Sequence, residues 1–290
     1  MSLIGTLTSG VSAMRSFTKG LEVIGNNIAN VNTTGYKGSN VNFEEGFSNT
    51  LRGSTPSSGG NSSNLSSIQI GTGVKLASIN GNFAQGALSP TGIATDLGIS
   101  GNGFFRVVNP VDGGEFATRA GDFRLDDNGY LVTTKGFRVQ GLTGGAGGSA
   151  PGALGNIRLG TPPATTQLQS FSIDRQGNFI EFYSDGSSAT TNKLLLQTYR
   201  DPSALQRVGD NLFTGFTAAG VVGGIALTAA NNSPGTIGLG SIESGTLELS
   251  NVDLTEQFAN MITTQRSFQA ASRIVTVSDS VLEEIVNLKR

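Results

Sequence analysis

The groups that could do chemistry in this chain are carboxylates, hydroxyls, amides and glycine-rich loops. Its 290 residues include no cysteine and no histidine. Thiolate nucleophiles, disulfides and thiolate zinc sites are excluded, and with them the commonest general base and metal ligand. Gly101-Asn-Gly103-Phe-Phe105 has the first two glycines of a phosphate-cradling turn, but Arg106 stands where the third is needed and no helical pattern follows. Asp126-Asp-Asn-Gly129 lacks the spaced oxygen ligands and closing glutamate of a calcium loop, and reads as a hairpin turn. There is no G-x-S-x-G and no Gly-Lys dipeptide, hence no nucleophile elbow and no P-loop. A glycosidase-like pair of acids is formally open, but the acids are scattered, and with no Trp and 4 Tyr the platforms for sugars are thin. No catalytic, cofactor-binding or metal-ligating residue is assigned, and the chain is not expected to be an enzyme.

One polar motif is too dense to be composition: Gly25-Asn-Asn-Ile-Ala-Asn-Val-Asn-Thr-Thr-Gly35-Tyr-Lys37. Asparagine is poor inside a helix, since its amide competes for backbone groups, yet it suits caps and turns. Gly35 offers the positive φ that stops a helix. Asn26, Asn27, Asn30, Gly35 and Tyr36 are therefore read as a helix-end motif at a crowded junction.

The segment leading to that motif carries apolar residues at Ile4, Leu7, Val11, Met14, Phe17, Leu21, Ile24, Ile28 and Val31, in steps of three and four with one slip. This predicts a helix roughly 40 Å long. At the other end Asp253-Leu-Thr-Glu256 reads as an N-cap with glutamate three residues on. Leu254, Phe258, Met261, Phe268, Val275, Leu282 and Ile285 then mark a second seam, beside a further apolar row at Ile262, Ile274, Val277, Val281 and Leu288. A helix that is apolar on more than one stripe wants more than one neighbour. Leu7, Val11, Met14, Phe17, Leu21, Ile24 and Ile28, with the seven residues of the second seam, are the expected packing residues between sister molecules.

Between the ends the chain reads as β structure. Asn-Gly turns sit between β-rich runs, and F-x-[L/I]-D-x-x-G-x-[L/F] occurs at Phe123 and again at Phe171. The organisation expected is terminal helices over 1–32 and 251–290, an extended Gly/Ser-rich connector over 33–70, and a β-rich domain over 71–250, an irregular sandwich or barrel. Gly53–Ser67, Gly141–Pro163 and Thr217–Gly240 read as loops, Val221 to Leu227 being able to form a strand.

Composition agrees with a structural material. Glycine is 42 of 290 residues, close to double the roughly 7% norm. Charged residues are 14% and the net charge is -2, which argues against an electrostatic grip on nucleic acid. No apolar run is long enough to span a bilayer, and the N-terminus lacks the pattern of a cleaved secretory signal.

These motifs together resemble the bacterial flagellar rod and hook proteins. Asn26 to Lys37 resembles their N-terminal signature, and Asp96-Leu-Gly-Ile-Ser-Gly-Asn-Gly-Phe-Phe105 that of their first β domain. Thr118 to Leu131 is similar to the hairpin that follows it. Ser250–Leu254, Gln265–Gln269 and Asn287–Lys289 resemble their C-terminal helix. The resemblance implies an axial subunit that polymerises into a helical tube outside the cell, with the terminal helices as an inner coiled-coil layer. It implies export, without a cleaved signal peptide, through the flagellar type III apparatus. The partners it implies are copies of the chain, the distal rod protein, the hook cap and the hook–filament junction proteins, with no cofactor, no nucleic acid and no membrane insertion. Gly10-Val-Ser-Ala-Met14 and Asn42–Leu51 are more similar to hook subunits than to rod subunits, so the expectation is a hook subunit, a flexible joint that transmits torque. The alternative is the distal rod, a rigid shaft, since this chain has no room for a large outer domain near Gly141–Pro163.

Overall fold

The structure is a computed structural model that describes residues 3–55, 64–144, 151–160, 167–236 and 238–288. Most of the expected loop at Gly53–Ser67, and part of the one at Gly141–Pro163, lies outside the described residues. The chain divides into two compact units: Met1–Ala29, Ser39–Asn80 and Asp253–Arg290 form one, Asn30–Gly38 and Gly81–Val252 the other.

The first unit holds both long helices, Leu3–Ala29 and Leu254–Leu288. The second of these starts where its sequence says it should. The Asp253 carboxylate accepts the Thr255 N–H at 2.7 Å, and the Asp253 carbonyl accepts the Gln257 N–H at 3.0 Å. The helices run antiparallel in one constant register. Thr6 Oγ1 lies 3.3 Å from Ser278 Oγ, Gly20 lies against Thr264, and Asn27 Nδ2 donates to Gln257 Oε1 at 3.0 Å, each pair of numbers summing to 284. Small and polar residues make this contact. A Cβ on Gly10 would fall 2.9 Å from a Val275 methyl. On the C-terminal helix the buried residues are Gln257, Ala271 and Ser278, with half-buried Thr264 completing the seven-residue interval. Close backbone approach therefore replaces interlocking large side chains.

Two strand pairs complete this unit: Ser39–Glu45 with Val74–Gly81, and Ser48–Arg52 with Ile68–Gly71. Strands thus form inside the stretch expected as a connector. Phe43 packs edge-on against Phe17 of the N-terminal helix, with ring centroids 5.8 Å apart.

The second unit is mainly β. Its largest sheet runs, in spatial order, through Leu168–Ile173, Asn178–Tyr183, Ser188–Leu194, Arg138–Thr143, Phe104–Val108, Glu115–Thr118, Leu212–Thr214 and Gln206–Gly209, antiparallel at every step. The first and last of these do not pair with each other, so the sheet is open. This corrects the barrel form of the expectation. Alternation and turns fix hairpins locally, whereas closure depends on whether distant edge strands meet. The largest core cluster includes Leu97, Ile99, Phe105, Val107, Leu131, Val139, Phe179, Leu194, Leu196 and Ile242, and a second gathers Phe104, Tyr199, Leu205 and Phe213.

The repeated F-x-[L/I]-D-x-x-G motif is one turn used twice. The Asp126 N–H donates to Tyr130 O and the Gly129 N–H to Asp126 O, and the Asp174 N–H donates to Asn178 O and the Gly177 N–H to Asp174 O. Both glycines have φ of 78°. This is a tight turn closed by a left-handed glycine bulge rather than a two-residue Asn-Gly loop. The Thr217–Gly240 loop makes two single-turn helices, Phe216–Ala219 and Ala229–Asn232, where a strand had been open. Buried Asn232 anchors it, donating Nδ2 to Leu196 O at 2.9 Å.

Two outcomes follow. Gly121 sits so close to the Leu97 carbonyl that an added Cβ would lie 1.8 Å from that oxygen. Gly121→Ala is expected to cost at least about 3 kcal/mol, read as a lowered denaturant midpoint. Burial and the Glu181 carboxylate, which accepts its hydroxyl at 2.9 Å, push the Tyr183 phenol up to about 12. The folded state then holds a proton that the unfolded chain releases near pH 10, so this contribution to stability is full below pH 10 and is lost as pH rises towards 12. Ultraviolet titration should show a tyrosine ionising about two units late.

Candidate functional site

The helix-end motif falls in both units. Asn27, buried in the first, closes the helix end with three hydrogen bonds: Nδ2 donates to Ser39 O and Gln257 Oε1, and Oδ1 accepts the Ser39 N–H at 2.9 Å. A single amide thus ties the helix end to the following strand and to the opposite helix. Asn26 is exposed. In the second unit Asn30 accepts from Thr33, whose Oγ1 lies 3.1 Å from Asn30 Oδ1. Gly35 has φ of 67°, and a Cβ there would meet the Ala120 nitrogen at 2.6 Å, so no other residue fits without shifting backbone. Its N–H donates to Glu248 O at 2.8 Å. Tyr36 is buried beneath the Arg207 guanidinium, 5.3 Å from the ring centroid.

Lys37, last in the motif, enters a closed ionic junction within the second unit. Its Nζ lies 2.6 Å from Glu248 Oε1 and donates to Ala84 O at 2.9 Å. Arg119, from the hairpin motif, places Nη1 3.1 Å from Glu248 Oε2 and donates Nη2 to Gly101 O at 2.8 Å. Glu248 Oε1 also accepts the Gly86 N–H at 2.9 Å. The Lys37 and Glu248 side chains are wholly shielded from solvent and that of Arg119 nearly so. Burial outweighs the attraction of the carboxylate, so the Lys37 ammonium and the Arg119 guanidinium both sit below their ordinary pKa ranges. Asn251 extends the junction. Its Oδ1 accepts the Gly38 N–H at 2.8 Å and its Nδ2 donates to Asn82 O and Ala84 O. Closed to water and held largely by backbone partners, with the Arg119 Nε alone of the guanidinium's nitrogens lacking a partner among the described residues, these charges suit holding segments together rather than proton transfer to a substrate.

Sequence reasoning passed over Glu248 and Arg119 as site residues. A signal was present, since Lys37 is the lone charge between Glu22 and Glu44 and a buried cation requires a distant anion. The expected packing residues are placed as follows. Ile24 is buried, and Leu7, Val11, Met14, Phe17, Leu21 and Ile28 are half-buried. On the C-terminal helix Met261, Phe268, Val275 and Leu282 are half-buried, while Leu254, Phe258 and Ile285 are exposed at 39%, 49% and 49%. The small-residue contact between the helices leaves most of the expected apolar rows unspent.

The comparisons with known proteins follow the same order along the chain. Residues 7–37 match the model of the flagella basal body rod protein, residues 98–180 that of the flagellar hook protein FlgE/F/G D1 domain, and residues 243–288 that of the flagellar basal body rod FlgEFG protein C-terminal. Helix-end motif, β body and capped helix are together those of a flagellar axial structural protein. The flagellar basal-body rod protein FlgG of Bacillus subtilis is 38% identical over 288 residues, 99% of this chain and 100% of that protein. FlgG of Caulobacter vibrioides is 32% identical over the full length of both chains. The chain belongs to the flagellar rod and hook protein family.

The hook expectation receives weaker support from the same comparisons than its rod alternative. The flagellar hook protein FlgE of Borreliella burgdorferi is 26% identical, over 452 aligned positions against the 290 residues here, so it carries long stretches this chain lacks.

Removing Glu248 would strand two buried cations. Glu248→Ala is expected to destabilise the fold by about 3–5 kcal/mol, measured by chemical denaturation. Replacing Lys37, Arg119 and Glu248 together with Met, Leu and Leu should recover most of that loss.

Proposed function

We propose that this chain is the distal rod subunit of the flagellar basal body, polymerising into a straight, rigid shaft. The observation that carries the reading is the match in length and identity to proteins named FlgG, set against the stretches that the hook relative alone possesses.

The mechanism is mechanical. Identical subunits joined through different faces make open helical filaments. The faces available are Leu7, Val11, Met14, Leu21 and Ile28 on the N-terminal helix and Phe258, Ile262, Val277 and Ile285 on the C-terminal one, all exposed or half-exposed. Buried between copies, each such side chain contributes about 1.5–3 kcal/mol. The two long helices then form the inner layer of a tube. Export is through the flagellar type III apparatus, and the chain's partners are further copies of itself and adjoining axial proteins.

Electron microscopy of purified polymer tests the reading. Straight, stiff tubes are the expected result, and curved, flexible ones would return the chain to the hook class. Val277→Asp should leave the monomer folded by circular dichroism while abolishing polymer, because a carboxylate would be desolvated in every copy of the interface.

A further inference from the structure

The helix register and an open groove in the first unit point to a particular contact between copies, an inference that rests on the polymer reading above. Leu3, where the N-terminal helix begins, stands opposite Val281 in the register that sums to 284. The C-terminal helix continues to Leu288, so its last two turns run past that helix start. These turns are apolar and uncovered: Val281 is 37% exposed, Ile285 49% and Leu288 86%. Val281, Glu284 and Leu288 are spaced to share one face, with Ile285 beside them. Elsewhere in the same unit lies a groove of about 620 Å³ between the N-terminal helix and the Val74–Gly81 strand. Leu7, Val11, Val74 and Leu76 line it, with Arg15 at its edge.

Charge distinguishes this groove from a generic apolar patch. The two lysines at its rim are answered within the chain, Lys19 by Glu22 at 2.7 Å and Lys75 by Glu44 at 3.0 Å. Arg15 is exposed and has no carboxylate partner among the described residues. Glu284 likewise has no cationic partner among them. An uncovered apolar helix end bearing a spare acid thus complements a groove bearing a spare base. The two cannot meet within one molecule. Val11 stands opposite Arg273, and Ile285 lies twelve residues further along, about 18 Å away on the helix axis. We infer that the Val281–Leu288 helix end of one copy seats in the Leu7–Val11–Val74–Leu76 groove of the next, with Glu284 facing Arg15. The contact is head-to-tail, so each copy offers a groove at one place and a plug at another and the series does not close.

The absence of native cysteine makes the test clean. Val11→Cys and Ile285→Cys are made in separate chains, produced together in cells, and oxidised in isolated basal bodies. A disulfide joins residues only when their Cα atoms lie within about 7 Å, so the register forbids this bond inside one chain. The expected result is a linked dimer on a non-reducing gel, and a ladder when both substitutions are in one chain. Rods that assemble without any 11–285 link overturn the contact and leave the polymer reading standing, whereas failure of the unsubstituted chain to enter any rod overturns both. A charge swap gives a second readout. Arg15→Glu and Glu284→Lys should each lower motility at least tenfold, and the double variant should restore it. A double variant no better than either single one, with each folded by circular dichroism, also overturns the contact.

Discussion

A single carboxylate facing two buried cations governs how this chain is put together. Glu248 meets Lys37 and Arg119 where water cannot screen any of the three. Such an arrangement is costly to desolvate, and hydrogen bonds to the remaining donors and acceptors offset that cost. The backbone supplies most of them, through Ala84 O, Gly86 N–H and Gly101 O. The reward is specificity. Hydrophobic burial would accept many registers between these segments, whereas three charges and their carbonyls accept one. Fixing the strands and turns at this junction in one arrangement matters more here than a small gain in stability.

The helix pair follows a different rule. Gly10, Gly20, Ala271 and Ser278 let the two backbones approach, with Asn27 and Gln257 as a polar lock at one end. Packing through small residues stabilises a helix pair without using its large apolar side chains. Those remain on the outside, where a lone soluble protein would rarely leave so many together. The division is an economy of surfaces: small residues between the helices, large ones left outward.

How much of this was legible in the sequence depended on distance along the chain. The helix start at Asp253, the left-handed glycines at 129 and 177, and the helical length of both ends depend on neighbours within a few residues, and they were readable. The Lys37–Glu248 pair joins residues 211 apart. No local pattern announces it, although an isolated lysine inside a polar motif hinted that an anion was owed. The face of each helix turned towards the other was obscured for another reason. Periodicity analysis finds the most apolar row, and here the row used within the chain is the one with least side chain. Openness of the sheet depended on edge strands that carry no mark of whether they meet.

The span of the ionic junction also bears on time. Loop closure over so many residues is slow and entropically costly. Residues 35–37 cannot complete their docking until the Thr246–Glu248 strand has arrived, and that strand comes shortly before the last helix in the sequence. A chain delivered gradually in either direction therefore cannot settle its first forty residues early. The early segment is completed only when the final part of the chain is present.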